Sequence, residues 1–588
     1  MKAKLLAAAL VALFIVSGLT VAVGNTRAAT AQTLTVGIVN PGPIETLNPF
    51  YPGGQSATAN SQLLGVMYLS LLSQDPNGTV VPQLAQSWTV NSNASVFTFT
   101  LRQNLKWSDG QPLTANDVVF TFNAFIHNAL LDSFNGFIVG PLIKNVSASV
   151  NNTEVQFTLY HSFSPFLEYA GLGKVIVPAH IWSHVSNMTN FSNAGNPVGD
   201  GPFVVTNWVP GSSVINYKPN PYYYGPAPKI GGIAVQILSS TSNIASLLQT
   251  GSLALAQPAT NQISALTGVS HMHLAFSPGN AIFGTYFDPA GLLMFDDMLY
   301  PYNITQVRQA IAYAINRTQI VQLGLNGYGT PGSQGQLPNS LTQWIPNNLP
   351  NYTFDPAHAR QMLLGLGFKN GTNGFLTFPN GTAWTPKILD TGGANSNVVS
   401  VMVQNLQSAG IDASESVVTI GSLVSALEYG TFDMVLLTTS RPPIPDFVLG
   451  VFALNTTTPI GQQELNYHGW TRWTNSTLWN DLQQARQVGT FSAQYQLYAD
   501  AQNILATQVP LITLYYGNSI WAYSNASIQG WSPATQGYQF PQATLLTSLS
   551  GGATSAAPDY TYVYIGVGIV VAAVVAVAAV ALMRRRQR

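Results

Sequence analysis

His180 and His184 stand at i, i+4 in "HIWSH", a spacing that sets two imidazoles on one helical face and supplies half of a metal site. No third ligand is marked by the sequence, and a solvent-facing pair is the plainer reading. H-E-x-x-H is absent, which excludes zincin chemistry. "AGLGKV" lacks the earlier glycine and the Ser/Thr of a P-loop, and no G-x-S-x-G elbow occurs. Paired carboxylates are assembled in space, so an extracellular glycosidase or peptidase stays open as a competing class. The other concentration of useful side chains is "NYHGWTRWTNSTLW", with Tyr467, Trp470, Trp473 and Trp479. Flat aromatic faces of this kind suit sugar rings or peptide side chains, and ordinary packing is the alternative. Asp109 in "WSDG" reads as a turn residue before Gly110, not as a catalyst. Neither a metal nor a cofactor is expected.

The elements that carry these residues alternate between strand and helix. "TLTVGIV" (Thr33–Val39) reads as a strand, and Ser95–Arg102 alternates with period two as a half-buried one. In "LTANDVVFTFNAF", Thr114 and Asp117 make a capping box, and Val118, Phe122 and Phe125 line one helical face. Ile304–Ile315 is an amphipathic helix. "DPAHARQMLLGLGF" is a helix with Asp355 as N-cap and Pro356 at its first position. "SNVVSVMVQNLQSAGIDAS" is a helix leading to a strand at Ser416–Thr419. Phe432–Thr439 is a buried strand, and "VPLITLYYGNSIWAYS" a late strand pair. The chain is therefore α/β, and too long for one core.

Its ends carry different signals. Ile565–Met583 is 19 residues without a charge, about 28 Å of helix against a hydrocarbon core of roughly 30 Å. Tyr560, Tyr562 and Tyr564 precede it, and Arg584, Arg585, Arg586 and Arg588 follow. The positive-inside bias then leaves the tail cytoplasmic and the body outside. At the other end, Lys2 and Lys4, an apolar run and Ala29-Thr30-Ala31 make a signal peptide, cleaved or retained as a second anchor. There is no cysteine, hence no disulfide and no lipidated N-terminal thiol.

Charge is scarce, 7% of residues against roughly 25% in ordinary soluble proteins. Seven of the 21 basic residues lie in the terminal segments. The exported part keeps 14 against 22 acidic residues, a net −8 that argues against nucleic acid. N-x-[ST] sequons recur from Asn77 to Asn525, which makes a glycoprotein plausible and keeps a surface-layer or adhesion protein in view. A surface with few carboxylates loses little when acid protonates them, which raises an acidic habitat as a hypothesis.

"DPNGTVVPQLAQSW", the strand ending "FTLR", and "WSDGQPLTANDV" follow one another in a fixed order. "GDGPFVV" (Gly199–Val205), "NPYYYG", "VRQAIAYAINRTQIV", "DPAHARQMLLGLGF" and "FDMVLL" continue the series. In this order the chain resembles the family 5 extracellular solute-binding proteins of ABC importers, the oligopeptide- and dipeptide-binding group. The resemblance covers almost the whole exported part.

It implies a three-domain, bilobed periplasmic-binding-protein-like fold of class II, with a C-terminal transmembrane helix added. The expected division is 1–31 signal peptide, then a discontinuous domain I of 32–65, 197–281 and 508–548. Domain II is 66–196 and domain III 282–507, followed by a stalk at 549–560, the transmembrane helix at 561–583 and a cytoplasmic tail at 584–588. Ligand would lie between lobes I and III. Trp88, Trp107 and the capping box would hold domain II together, and "GDGPF" would turn near the hinge.

Peptide-binding members carry an aspartate after the "FDMVLL" strand, and here the run is "LTTSRPPIPDFVLG". The resemblance points to Thr439, Ser440, Arg441 and Asp446 as ligand contacts, with Trp470 and Trp473 bordering the cleft. Asp446 matches the later acidic position. The earlier one falls on Ser440 or Arg441, so a peptide and an oligosaccharide both remain open as ligand. The resemblance implies no enzyme activity. It implies a monomeric, non-enzymatic subunit partnered by an ABC permease and ATPase. Anchoring by a C-terminal helix, without a lipidated cysteine or an evident periplasm, suits an archaeal surface.

Overall fold

The computed structural model describes residues between 33 and 551, outside 41, 51–61, 75–78, 133–138, 278–279, 283–284, 442–443, 451, 453, 455, 465–468, 527 and 530–549. The chain divides into a body, Met1–Gly551, and a tail, Gly552–Arg588. The expected signal peptide, transmembrane helix and cytoplasmic tail lie outside the described residues, as does the stalk apart from 550–551. Among the described residues no helix is long and apolar enough to cross a membrane.

Three sheets organise the body. The first is seven-stranded, in the order Met272–Ser277, Ser519–Ser524, Leu255–Ala256, Thr33–Val39, Gly232–Leu238, Val214–Pro219 and Phe203–Val205. Its centre is parallel: Thr33–Val39 lies between Gly232–Leu238 and Leu255–Ala256 and runs with both. Leu34, Val36 and Ile38 are buried on one face of this central strand, and Thr35 and Val39 are half-buried on the other.

Between the first strand of that sheet and its return at Phe203 the chain builds a four-stranded antiparallel sheet, in the order Ala85–Val90, Val96–Leu101, Glu154–Leu159 and Ile143–Ala148. Val96–Leu101 buries every second residue. The helix Ala115–His127 packs on this sheet and is capped as expected: Thr114 N donates to Asp117 Oδ2 at 2.8 Å and Asn116 N to Thr114 Oγ1 at 3.3 Å. Trp107 is fully buried and Trp88 half-buried in the same core. The insert is pinned to the first lobe at "GDGPF". Asp200 Oδ1 accepts from Leu69 N at 3.0 Å, and a Cβ on Gly199 would sit 2.2 Å from Met67 O, so only glycine fits there.

The remaining sheet runs in the order Gly329–Pro331, Leu511–Gly517, Thr285–Phe295, Met434–Arg441, Lys387–Asp390 and Ser414–Val417, with Asn280–Ile282 paired to Thr285–Phe295. The helix at Pro356–Gly365 has Asp355 as N-cap, its side chain accepting from His358 N at 2.8 Å. The late strands do not pair with each other. Leu511–Gly517 joins this sheet and Ser519–Ser524 the first, so the chain returns to the first lobe at Asn518 and not at 508. Each sheet has its own apolar core.

Candidate ligand cleft

In open α/β sheets ligands bind outside the carboxyl ends of parallel strands, where connections diverge to opposite sides. The first sheet has such a point. From Gly232–Leu238 the chain passes through the helix Ile244–Gln249 to Leu255–Ala256 on the far side of Thr33–Val39. The strand ends there present Asn40, Ser239, Ser240 and Gln257, all neutral. Asn40 is buried; its N–H donates to Leu238 O at 2.8 Å and its side-chain amide to Gly42 O at 2.5 Å. Gln257 Nε2 donates to Ser519 Oγ at 2.6 Å, beside the return crossing.

In the second lobe Lys387–Asp390 runs parallel to both Ser414–Val417 and Met434–Arg441. Asp390 is buried, its carboxyl pushed up by desolvation and by Glu415, and its Oδ2 accepts from Gly392 N at 2.7 Å. Gly392 and Gly393, with φ of +76° and +66°, turn the chain into the helix Ala394–Ser408. That helix therefore opens at the same edge where Met434–Arg441 ends. The strand is longer than expected and extends through Arg441. Thr438 is exposed and Thr439 half-buried; Ser440 and Arg441 are placed by backbone register opposite Pro289 and Asp288. They thus lie beside the start of Thr285–Phe295, where the chain enters from the first lobe. Phe276 of one lobe stacks on Tyr328 of the other at 5.8 Å.

The other sequence-derived residues have protein partners of their own. Asp446 is not free to meet a ligand: it is buried at the start of the helix Pro445–Gly450, with both carboxylate oxygens engaged. Arg486 Nε reaches Oδ1 at 2.7 Å and Nη2 reaches Oδ2 at 3.3 Å, while Tyr169 OH donates to Oδ2 at 3.1 Å. Trp470 and Trp473 are half-buried and pack on the second lobe's core, Trp473 edge-on to Phe452 at 6.4 Å. Their segment turns around Arg472, whose buried guanidinium sits 3.6 Å from Asp296. Tyr467 lies outside the described residues. His180 Nε2 lies 2.8 Å from Asp109 Oδ2, and the helix Ala179–Trp182 ends before His184, so the two histidines share no helical face. Asp109 also accepts from Gln111 N at 3.0 Å, as a turn residue does. No group of three or more His, Asp or Glu among the described residues is arranged to hold a metal. Sequence reasoning missed Asp390 and the Gly392-Gly393 turn, whose signal is a paired glycine between a strand and an amphipathic helix.

Residues 79–458 match the family model for bacterial extracellular solute-binding proteins, family 5 middle. The chain belongs to this family. It is similar to the dipeptide-binding protein of Escherichia coli (strain K12), 25% identical over 520 residues, covering 84% of this chain and 91% of that one. Its fold is that of a binding protein from Helicobacter pylori solved with the peptide STSA, with TM-score 0.67 at 20% identity, covering 89% of this chain and 99% of the other. It is likewise that of the Thermotoga maritima oligopeptide ABC transporter binding protein solved with mannohexaose, with TM-score 0.67 at 22% identity over 89% and 99% of the two chains. The body of this family member thus has the α/β periplasmic-binding-protein-like fold, and its curated relatives are substrate-binding proteins.

Proposed function

We propose that this family 5 protein captures peptides between its two lobes and delivers them to an ABC permease, without turning them over. The observation that carries the reading is the convergence of the carboxyl ends of parallel strands from both lobes on the place where the chain crosses between them. A closing ligand must bind the shut state more tightly than the open one, and contacts from both strand-end sets supply that difference. Domain boundaries follow the sheets, with the expected limits moved at Asn518.

A second reading has its own support. The neutral Asn, Ser and Gln residues at the first lobe's strand ends, with Ser440 and Arg441 at the end of the facing strand, suit an oligosaccharide as well. The test is thermal unfolding of the purified full-length chain with dipeptides, tripeptides, longer peptides and manno-oligosaccharides. A ligand at 100-fold over its Kd adds about 2.7 kcal/mol. A peptide that stabilises the protein and is recovered uncleaved supports the proposal; stabilisation by sugars alone replaces it with the second reading, and cleavage makes the protein a hydrolase.

We further propose that Ile565–Met583 anchors the protein in the cell membrane with its body outside, on an archaeal surface. An anchor keeps the effective concentration at the permease high. Protease added to intact cells should cut near 551–558 and release the body; a body protected until lysis would overturn this topology.

A further inference from the structure

The two lobes also meet through the insert. The segment from Phe163 to Tyr169 belongs to the insert, which is pinned to the first lobe through Asp200 and the Gly199–Gly201 turn. Hydrogen bonds join it to the second lobe. Ser164 N donates to Arg486 O at 2.6 Å and Ser164 Oγ to Ala485 O at 3.1 Å. Gln494 Nε2 donates to Ser164 Oγ at 2.8 Å, and Tyr169 OH to Asp446 Oδ2 at 3.1 Å. The Arg486 guanidinium lies 5.7 Å from the Phe163 ring centroid.

Three properties make this a contact that can open. Ala485 and Arg486 close the helix Ser476–Ala485, whose last carbonyls have no partner within the helix and are as well served by water as by Ser164. The Asp446–Arg486 pair lies wholly in the second lobe, so it survives separation and leaves no buried charge orphaned. The apolar part is small: Ile444 of the second lobe is the one buried residue of a cluster with Phe447 and Tyr169, and Tyr169 also packs on the insert's own core. Interfaces with few apolar contacts and many polar ones are those that separate first.

We infer that Phe163, Ser164 and Tyr169 of the insert and Asp446, Arg486 and Gln494 of the second lobe form a clasp that holds the lobes shut. These are positioning residues for closure and touch no ligand. The inference rests on the two-lobed binding reading but is tested without ligand.

The chain has no cysteine, so Gln156→Cys in the insert and Asn480→Cys in the second lobe, both exposed, accept spin labels at two defined places in the full-length protein. Without added peptide, the labelled protein should show a short-distance population. Tyr169→Phe with Ser164→Ala should reduce that population about fivefold or more relative to the long-distance one, with unchanged thermal unfolding. Tyr169→Phe alone should give an intermediate loss. Unchanged distances in the double variant, or no short-distance population in the parent, overturns the clasp. Either outcome leaves peptide binding, read by thermal shift, to stand or fall separately.

Discussion

Arg441 ends its strand opposite Asp288, at the lobe junction. A guanidinium there matches a carboxylate as a planar fork. If the ligand is a peptide held by its anionic end, Arg441→Ala should weaken it by roughly 2–5 kcal/mol, read by calorimetry as a rise in Kd of tenfold or more. A loss of about 0.5–1.5 kcal/mol would instead match one neutral hydrogen bond and favour the sugar reading. Asp446 behaves differently. Its partners are Arg486, 40 residues later, and Tyr169, 277 residues earlier, so nothing local in "PIPDFVLG" could reveal that its carboxylate was taken.

Among the elements, Asp446 fastens the start of Pro445–Gly450 to the end of Ser476–Ala485. Asp446→Ala removes one partner of a largely buried pair and should cost about 3 kcal/mol of stability, seen as a lower urea midpoint. Binding lost with stability intact would return Asp446 to the ligand. Elements set by local chemistry were legible in the sequence. Thr33–Val39 has the expected bounds, and the Thr114–Asp117 box and the Asp355 cap rest on residues within three positions of each other. The sheet membership of the late strands was not, because a single residue, Asn518, separates two apolar runs that look alike but enter different sheets. At the candidate site, the strand leading to Thr439–Arg441 was legible, while its surroundings were not: Asn40 and Gln257 of the first lobe follow distant segments joined by one parallel pairing, and Asp390 of the second lobe is set beside Met434–Arg441 by another.

Across the whole molecule several carboxyls are held above their ordinary range. Burial pushes Asp296 up to about 6, and burial with the neighbouring Asp446 carboxylate pushes the half-buried Glu168 up to about 7. Desolvation also raises Asp200 and Asp297 well above the usual value. For Asp296 and Glu168 the folded state keeps its proton to a higher pH than the unfolded chain, which releases it near pH 4. Stability from these groups is therefore present in acid and lost as pH rises through about 6 to 7. The urea midpoint should be higher near pH 5 than near pH 8, and Asp296→Asn should flatten that slope; a midpoint rising with pH would contradict the assignment. This direction suits a protein displayed to an acidic exterior.

The central claim is that the cleft takes peptides and returns them intact. Incubating the purified full-length chain with a mixed peptide pool, washing, denaturing and identifying what was retained tests it most directly. Recovery of uncleaved peptides at about one per protein, blocked by excess of the same pool, is the predicted result. Retention of a neutral oligosaccharide with no peptide, or recovery only of cleaved fragments, would contradict it.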